Sequence, residues 1–249
     1  MYDKVKYLPA GDSSLSMEFG NEISVQVNKR IRNTLAEIED NPPGGLKELI
    51  PTYRSIQVLY DPMVTDFSQM VDKLQEIAES VGEGEPDNYR IVEIPTCYGG
   101  EYGPDIEFVA KHNDKSVKDV IKIHSSTDYL LYMLGFTPGF GYLGGMSEKI
   151  ATPRLEVPRT IIPAGSAGIA GSQTGIYPID SPGGWQLIGR TPIKLFDPLA
   201  VVPVLLNAGD YVRFKPISED EFKSIQKLVQ EDSYEVNIIH NGEVRLHVL

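Results

Sequence analysis

The sequence predicts an α+β chain in two parts. A βαββαβ unit spans residues 1–95, and short strands over 96–249 close into a barrel or a sandwich. Three observations predict this. Up to residue 95 the apolar period switches between two and about 3.6, in the order strand, helix, strand, strand, helix, strand. Residues 96–217 hold 16 of the 23 glycines, with Pro-Gly and Gly-Gly turns between short β-capable runs. The C-terminal end then returns to one capped helix and one hairpin signature.

Taken in order, Tyr7–Phe19 alternates toward its end as a first strand. Residues 23–38 place Ile23, Val27, Ile31, Leu35 and Ile38 on one helical face. Asn41-Pro42-Pro43-Gly44-Gly45 ends that helix, because Pro cannot continue it and Gly suits the turn. Leu46–Thr52 and Ser55–Tyr60 read as a hairpin. Thr65 or Asp66 caps a second helix, with Phe67, Met70, Val71, Leu74, Ile77, Ala78 and Val81 as its apolar face. Gly82–Asn88 is a polar connector, and Tyr89–Pro95 alternates as the sixth element, which completes the ferredoxin-like split arrangement. In the second part, a helix is expected near Ser116–His124 and a strand over Ser126–Leu134. Ser218-x-x-Glu221 is a capping box ahead of Phe222, Ile225, Leu228 and Val229, and Asn241-Gly242 joins Tyr234–Ile239 to Glu243–Val248.

Composition narrows the function. With 23 Lys+Arg against 35 Asp+Glu, the formal charge is −12, which disfavours polyanion partners such as nucleic acid. A single cysteine, Cys97, excludes a disulfide framework and a four-cysteine zinc site, and it fits a reducing, cytoplasmic compartment. No His, Asp or Glu spacing suggests a metal site. No apolar run reaches the roughly 18 residues of a membrane span, and the N-terminus lacks the basic-then-apolar order of a signal peptide. The acidity is uneven: residues 135–200 hold five positive and four negative side chains. A nearly neutral, Gly-rich centre inside an acidic shell is where a small anion could be held.

That centre supplies the candidate residues. Gly135–Met146 has the glycines of a phosphate loop but lacks its Lys-Ser/Thr pair and a following helix, so it reads as a tight turn. Phe136, Phe140 and Tyr142 are core aromatics in that reading, while Gly139 and Gly141 allow a ligand close to the backbone. Arg154 and Arg159 sit on Pro-stiffened loops, and their planar guanidinium forks suit carboxylate or phosphate. Gly165 and Gln173 flank a run of small residues. Ser181-Pro182-Gly183-Gly184 is a turn next to Trp185 and Gln186, which read as a pocket wall with a polar contact or as a core anchor. His124 is a candidate proton-transfer group or a structural histidine.

Together, His124-Ser-Ser-x-Asp-Tyr, Gly135-Phe-Thr-Pro-Gly-Phe-Gly-Tyr-Leu-Gly-Gly-Met146, Ala151-Thr-Pro-Arg154, Pro163-Ala-Gly-Ser-x-Gly-Ile-Ala-Gly171, Gln173-Thr-Gly-Ile-Tyr-Pro178 and Ser181-Pro-Gly-Gly-Trp-Gln186 resemble the allophanate hydrolase subunit 1 family, and within it the 5-oxoprolinase B and KipI group. The resemblance implies a cyclophilin-like barrel after the ferredoxin-like domain. It implies ATP-dependent opening of the 5-oxoproline lactam to glutamate, in a complex with an A subunit and a C subunit of allophanate hydrolase subunit 2 type. Activating the lactam oxygen with phosphate from ATP would let water attack an otherwise poor electrophile. On this reading Arg154 holds a carboxylate or phosphate and His124 moves a proton. Gly139, Gly141 and Gly165 supply backbone, and Gln173, Ser181 and Gln186 orient the substrate. The same resemblance allows an inhibitor of a sensor histidine kinase, a urea carboxylase-type partner (with biotin on another chain, since no Met-Lys-Met segment is present) or, through the barrel alone, a prolyl isomerase.

Overall fold

The computed structural model describes residues 1–81 and 90–240, and residues 243–248 as backbone. The expected connector Gly82–Asn88 and the Asn241-Gly242 turn lie outside the described residues. The chain divides into two compact units, Met1–Asp87 and Asn88–Leu249.

The first unit runs β1 (Lys6–Pro9), β2 (Ser14–Glu18), α1 (Val25–Asp40), β3 (Leu46–Pro51), β4 (Ser55–Tyr60) and α2 (Phe67–Ser80). Its antiparallel sheet has the order β1-β2-β4-β3. Helix α1 starts two residues later than its apolar pattern suggests. The Ser24 hydroxyl accepts from the Val27 N–H at 3.2 Å as N-cap, which leaves Ile23 outside the helix and exposed. Asp66 caps α2 through the Gln69 N–H, and Gln69 returns a bond to the cap. The core joins Leu15, Met17, Ile56 and Val58 of the sheet to Val27, Ile31, Met70 and Leu74 of the helices, all essentially without exposure. Each contributes about 1.5–3 kcal/mol by burial.

The sixth expected element does not close this sheet. Strand β5 (Arg90–Tyr98) pairs only with strands of the second unit, and Lys6–Pro9 takes the edge position instead. The boundary expected at residue 95 therefore falls inside a strand.

After β5 come α3 (Ile106–His112), α4 (Val117–Ser125), β6 (Asp128–Leu134), β7 (Gly141–Gly144), a 3-10 turn (Glu148–Ile150), β8 (Arg159–Ile162), β9 (Ser166–Ala170), β10 (Gln173–Ile176), β11 (Ser181–Gly183), β12 (Gln186–Arg190), β13 (Tyr211–Ile217), α5 (Glu219–Gln230), β14 (Glu235–His240) and β15 (Glu243–Val248). Of the two expected β architectures the molecule adopts the barrel. Seven strands in the order β12-β9-β10-β7-β6-β13-β5 close through Gly189 opposite Tyr98 and Arg190 opposite Cys97. Strands β14 and β15 extend from β5, and β8 pairs with β11 as a separate ribbon. The β5–β13 pair is parallel, Ile91 to Cys97 against Tyr211 to Ile217.

The barrel wall follows the strand period of two. Leu131, Leu143, Ile169, Ile176, Ile188 and Phe214 belong to the main core, whereas Tyr142, Ala170 and Leu187 belong to a separate cluster on the other face. Ser116 and Ser218 each accept from an N–H three residues on and complete capping boxes with Asp119 and Glu221. Along α5, Phe222 and Val229 are buried, but Leu228 is 40% exposed and lies off the apolar stripe expected for it.

Candidate functional site

The second face of the barrel wall carries an aromatic layer. Phe140 meets Tyr142, Tyr177 and Trp185 edge-on at 5.4, 5.5 and 5.8 Å, and Tyr177 meets Trp185 at 6.0 Å. Ile162, Ala170 and Leu187 fill the gaps. Trp185 lies against two glycines: a Cβ on Gly168 or on Gly175 would come within 3.2 Å of its atoms. Trp185 thus serves as a packed wall, and Gly168 and Gly175 are requirements that composition alone does not single out. Phe136 departs from the core reading, at 66% exposed.

The Tyr177 hydroxyl lies at the border of this layer. A Cβ on Gly183 would run into it. Burial pushes its pKa up to about 12, and the Arg154 and Arg159 guanidiniums pull in the opposite direction. It therefore stays protonated, a hydrogen-bond donor beside two cations, throughout the neutral range.

The two arginines are held differently. Arg159 donates to Asp105 Oδ1 at 2.7 Å and to the Trp185 carbonyl at 3.2 Å. The other carboxylate oxygen of Asp105 accepts from the Leu187 N–H at 2.6 Å. Arg159 is a bolt between α3, β8 and β12. Truncating Asp105→Ala should lower barrel stability by about 2 kcal/mol, measured by urea unfolding, because it strands both donors.

Arg154 is the opposite case: an exposed side chain whose guanidinium makes no hydrogen bond or ion pair among the described residues, on a loop that is pinned throughout. Thr152 exchanges two backbone bonds with Gly171, at 2.7 and 3.1 Å. The Thr152 hydroxyl donates to the Ile150 carbonyl and accepts from Asn113. Leu155 N–H donates to the Gly184 carbonyl at 2.7 Å. Between them, the buried Gln186 amide donates to the Pro153 carbonyl at 2.9 Å. Gln186 orients the residue before Arg154, so it positions that cation from behind. An unpaired cation on a rigid loop is pre-organised for an anion.

His124 lies on the other side of the wall. It is fully buried with Tyr98, Tyr129 and Phe214 around its ring. Nδ1 is 2.8 Å from the Tyr98 hydroxyl, and Nε2 is 2.8 Å from the Thr174 hydroxyl. The Thr174 hydroxyl donates its one proton to the Gly168 carbonyl at 3.0 Å, so it must accept from Nε2–H, and Nδ1 accepts from Tyr98. Burial lowers the His124 pKa to about 3, so the ring is neutral. Thr174 sits two residues from Ile176 on the core-facing side, whereas Gly175 under Trp185 faces outward. The fold therefore does not bring His124 and Arg154 together.

The remaining candidates are placed as follows. Gly165 donates its N–H to the Tyr177 carbonyl at 2.7 Å and accepts from the Thr191 N–H at 2.9 Å, so its backbone is fully used. Gln173 opens β10, half-buried opposite Ala170. The Ser181 hydroxyl, on β11 opposite Ile162 of the aromatic layer, is buried with no hydrogen-bond partner among the described residues. A buried hydroxyl left open beside that layer is a donor available to a ligand.

The profile of the carboxyltransferase domain, subdomain C and D, matches residues 5–206. The chain is 48% identical over 227 residues to the 5-oxoprolinase B subunit of Bacillus subtilis (strain 168), covering 87% of this chain and 95% of that one. The chain belongs to the family of 5-oxoprolinase B subunits. It is also similar to the urea amidolyase of Saccharomyces cerevisiae (strain ATCC 204508 / S288c), 26% identical over 94% of this chain but 14% of that one. Among solved structures it is similar to TTHA0988, with a TM-score of 0.73 and 34% identity over 82% of this chain and 40% of that one.

For a family associated by resemblance with ATP, the Gly135–Gly145 run is the obvious place to test for a nucleotide, and it does not fit. Its glycines are spent on packing. A Cβ on Gly139 would lie 3.0 Å from the Phe196 Cβ, one on Gly141 2.9 Å from Leu131, and one on Gly144 would enter the Tyr132 ring. The run continues into β7, and no helix N-terminus follows to face a phosphate. A cavity of about 430 Å³ between residues 194–207 and α5 shares no lining residue with the Arg154 site, and two of its charged residues are already engaged, Arg90 with Asp210 and Lys194 with Asp197. Among the described residues no cluster of His, Cys, Asp or Glu could hold a metal ion, and no helix is long and apolar enough to cross a membrane.

Proposed function

We propose that this chain is the B component of a cytoplasmic, ATP-dependent 5-oxoprolinase that opens the 5-oxoproline lactam to glutamate together with A and C subunits. The observation that carries the site is Arg154, unpaired on a loop pinned by Thr152, Gln186 and Leu155, beside the protonated Tyr177 hydroxyl. We assign Arg154 to the substrate carboxylate, as a fork that fixes the ring by charge. The Tyr177 and Ser181 hydroxyls donate to its remaining polar atoms. Gln186 and His124 are positioning residues: the first sets Arg154, and the second fixes β10 beneath Trp185. ATP is assigned to another subunit. The N-terminal unit is read as ferredoxin-like with its edge strand supplied from the N-terminus, and the second unit as a cyclophilin-like barrel.

The test is 5-oxoproline turnover by the reconstituted complex. Arg154→Ala should lower kcat/KM about 30- to 100-fold, mostly through KM, as loss of a charge-assisted clamp does. Arg154→Lys should recover part of it, because a point charge replaces the fork. Wild-type turnover in Arg154→Ala would remove this assignment. Carboxyl transfer to a urea-like substrate is the second reading, supported by the similarity to urea amidolyase over 94% of this chain. Turnover of 5-oxoproline with ATP in biotin-free preparations decides between them.

A further inference from the structure

At the tip of the β6–β7 connection the backbone is strained where packing does not demand it. Phe136 has φ +65°, and the Thr137 N–H donates to the Gly135 carbonyl at 2.8 Å. Phe136 is therefore the central residue of a γ-turn of the rarer, strained hand. A bulky side chain in that region is an outlier. Burial does not offset the strain, since the ring is 66% exposed and meets Phe140 edge-on at 5.6 Å.

A second projection stands beside it. Phe196 bridges to Val204, and the Asp197 N–H donates to the Pro203 carbonyl, so residues 196–204 form a hairpin. Its tip presents Leu199, Val201 and Val202 at 95, 102 and 65% exposed. Gly139 brings its turn against the root of this hairpin, near Phe196. The nearby charges, Lys194 and Asp197, pair with each other at 3.0 Å, which leaves the tip apolar and uncharged.

We infer that Phe136 and the Leu199–Val202 tip form one docking surface for another protein chain with an apolar face: the C subunit of the complex proposed above, on which reading this inference rests. Aliphatic side chains exposed to this degree are covered by a macromolecule, not by a small ligand, and an exposed aromatic held in strain is the form that a binding anchor takes. A second copy of this chain is disfavoured by repulsion between chains of charge −12, and an anionic membrane surface by the same charge and the absence of cations at the tip. In TTHA0988, which is 34% identical, the matched region makes up 40% of the chain, so there it is continuous with further polypeptide.

The experiment is calorimetric titration of the full chain with purified C subunit, alongside 5-oxoproline turnover of the mixture. Phe136→Gly should weaken binding about 30-fold, the range of a truncated anchor, while its Tm holds or rises, because glycine accepts φ +65° without strain. The triple change Leu199→Ser, Val201→Ser, Val202→Ser should remove binding at micromolar concentrations. Wild-type affinity in both variants overturns the inference, as does no binding by the unaltered chain. Phe136-dependent self-association in sedimentation, or Phe136-dependent pelleting with phosphatidylcholine–phosphatidylserine vesicles, also overturns it. Phe136-dependent binding without 5-oxoproline turnover supports the docking surface and instead removes the functional reading on which its partner was chosen.

Discussion

Replacing Gly165 with alanine should cost the barrel about 4 kcal/mol or more, enough to leave much of the protein unfolded at 37 °C. Two effects add. Gly165 has φ +82°, a conformation that an L side chain adopts only at about 1–2 kcal/mol. The new Cβ would also run into the backbone carbonyl of Thr191, and that carbonyl cannot step aside cheaply. The Thr191 N–H is held by Gly165 itself, and the preceding Arg190 is paired with both Ser166 and Cys97 at the seam that closes the barrel. Gly171 separates the two effects. It has φ +60° but open space where its Cβ would go, so Gly171→Ala should lose only about 1 kcal/mol. Urea midpoints for the two variants provide the comparison, and equal small losses would mean that the close approach of Thr191 has been misjudged. The glycine in the Pro-Ala-Gly run is thus required by the crossing of two chains, whatever backbone contact a ligand makes there.

Local features are legible in the sequence, and pairing at a distance is hidden. The Ser116 and Ser218 boxes, the Asp66 cap and the strand runs at 46–60 and 234–248 are readable because each is decided within a few residues. The destination of β5 is not, since its alternation fits any sheet and its parallel partner β13 begins more than a hundred residues later. Helix α3 escapes sequence reading for a related reason. It is seven residues long, and Asp105 at its cap position makes no capping bond; its carboxylate is used on Arg159 and Leu187, which are distant in sequence. The same division runs through the site. Proline-stiffened loops identify Arg154 and Arg159 as candidates, yet only the contacts reveal that one is bolted to Asp105 and the other open. Phe136 reads as an ordinary aromatic in a Gly-Pro turn, because a φ angle is not written in residue type. His124 offers the same letters whether buried or catalytic, and burial decides it.

That burial predicts how the protein fails in acid. In the unfolded chain a histidine titrates near 6.5, whereas in the fold His124 is lowered to about 3 by desolvation. A depressed folded pKa means that the unfolded chain binds the extra proton first. The contribution is therefore intact above about pH 6.5 and is lost as the pH falls toward 3, at about 1.4 kcal/mol per unit. Between pH 6.5 and 5 the loss should be about 2 kcal/mol, before the carboxylates of Asp61, Asp119, Asp197 and Glu221, all shifted downward, begin to protonate. The bonding around the ring gives the reason in atoms. Nδ1 accepts from the Tyr98 hydroxyl, and Nε2–H is committed to Thr174. A proton on Nδ1 would set two donors against each other unless Tyr98 turned away, and burial already holds that phenol firmly protonated. No carboxylate is among the groups packed on the ring to stabilise an imidazolium, since its neighbours are Tyr98, Tyr129, Phe214 and Thr174. His124→Gln can keep one donor and one acceptor without titrating. Its stability should be lower than that of the wild-type chain at pH 7, but nearly flat from pH 7 to 5. Urea unfolding of both proteins across that range is the measurement, and parallel slopes for the two would show that the acid sensitivity originates at another residue.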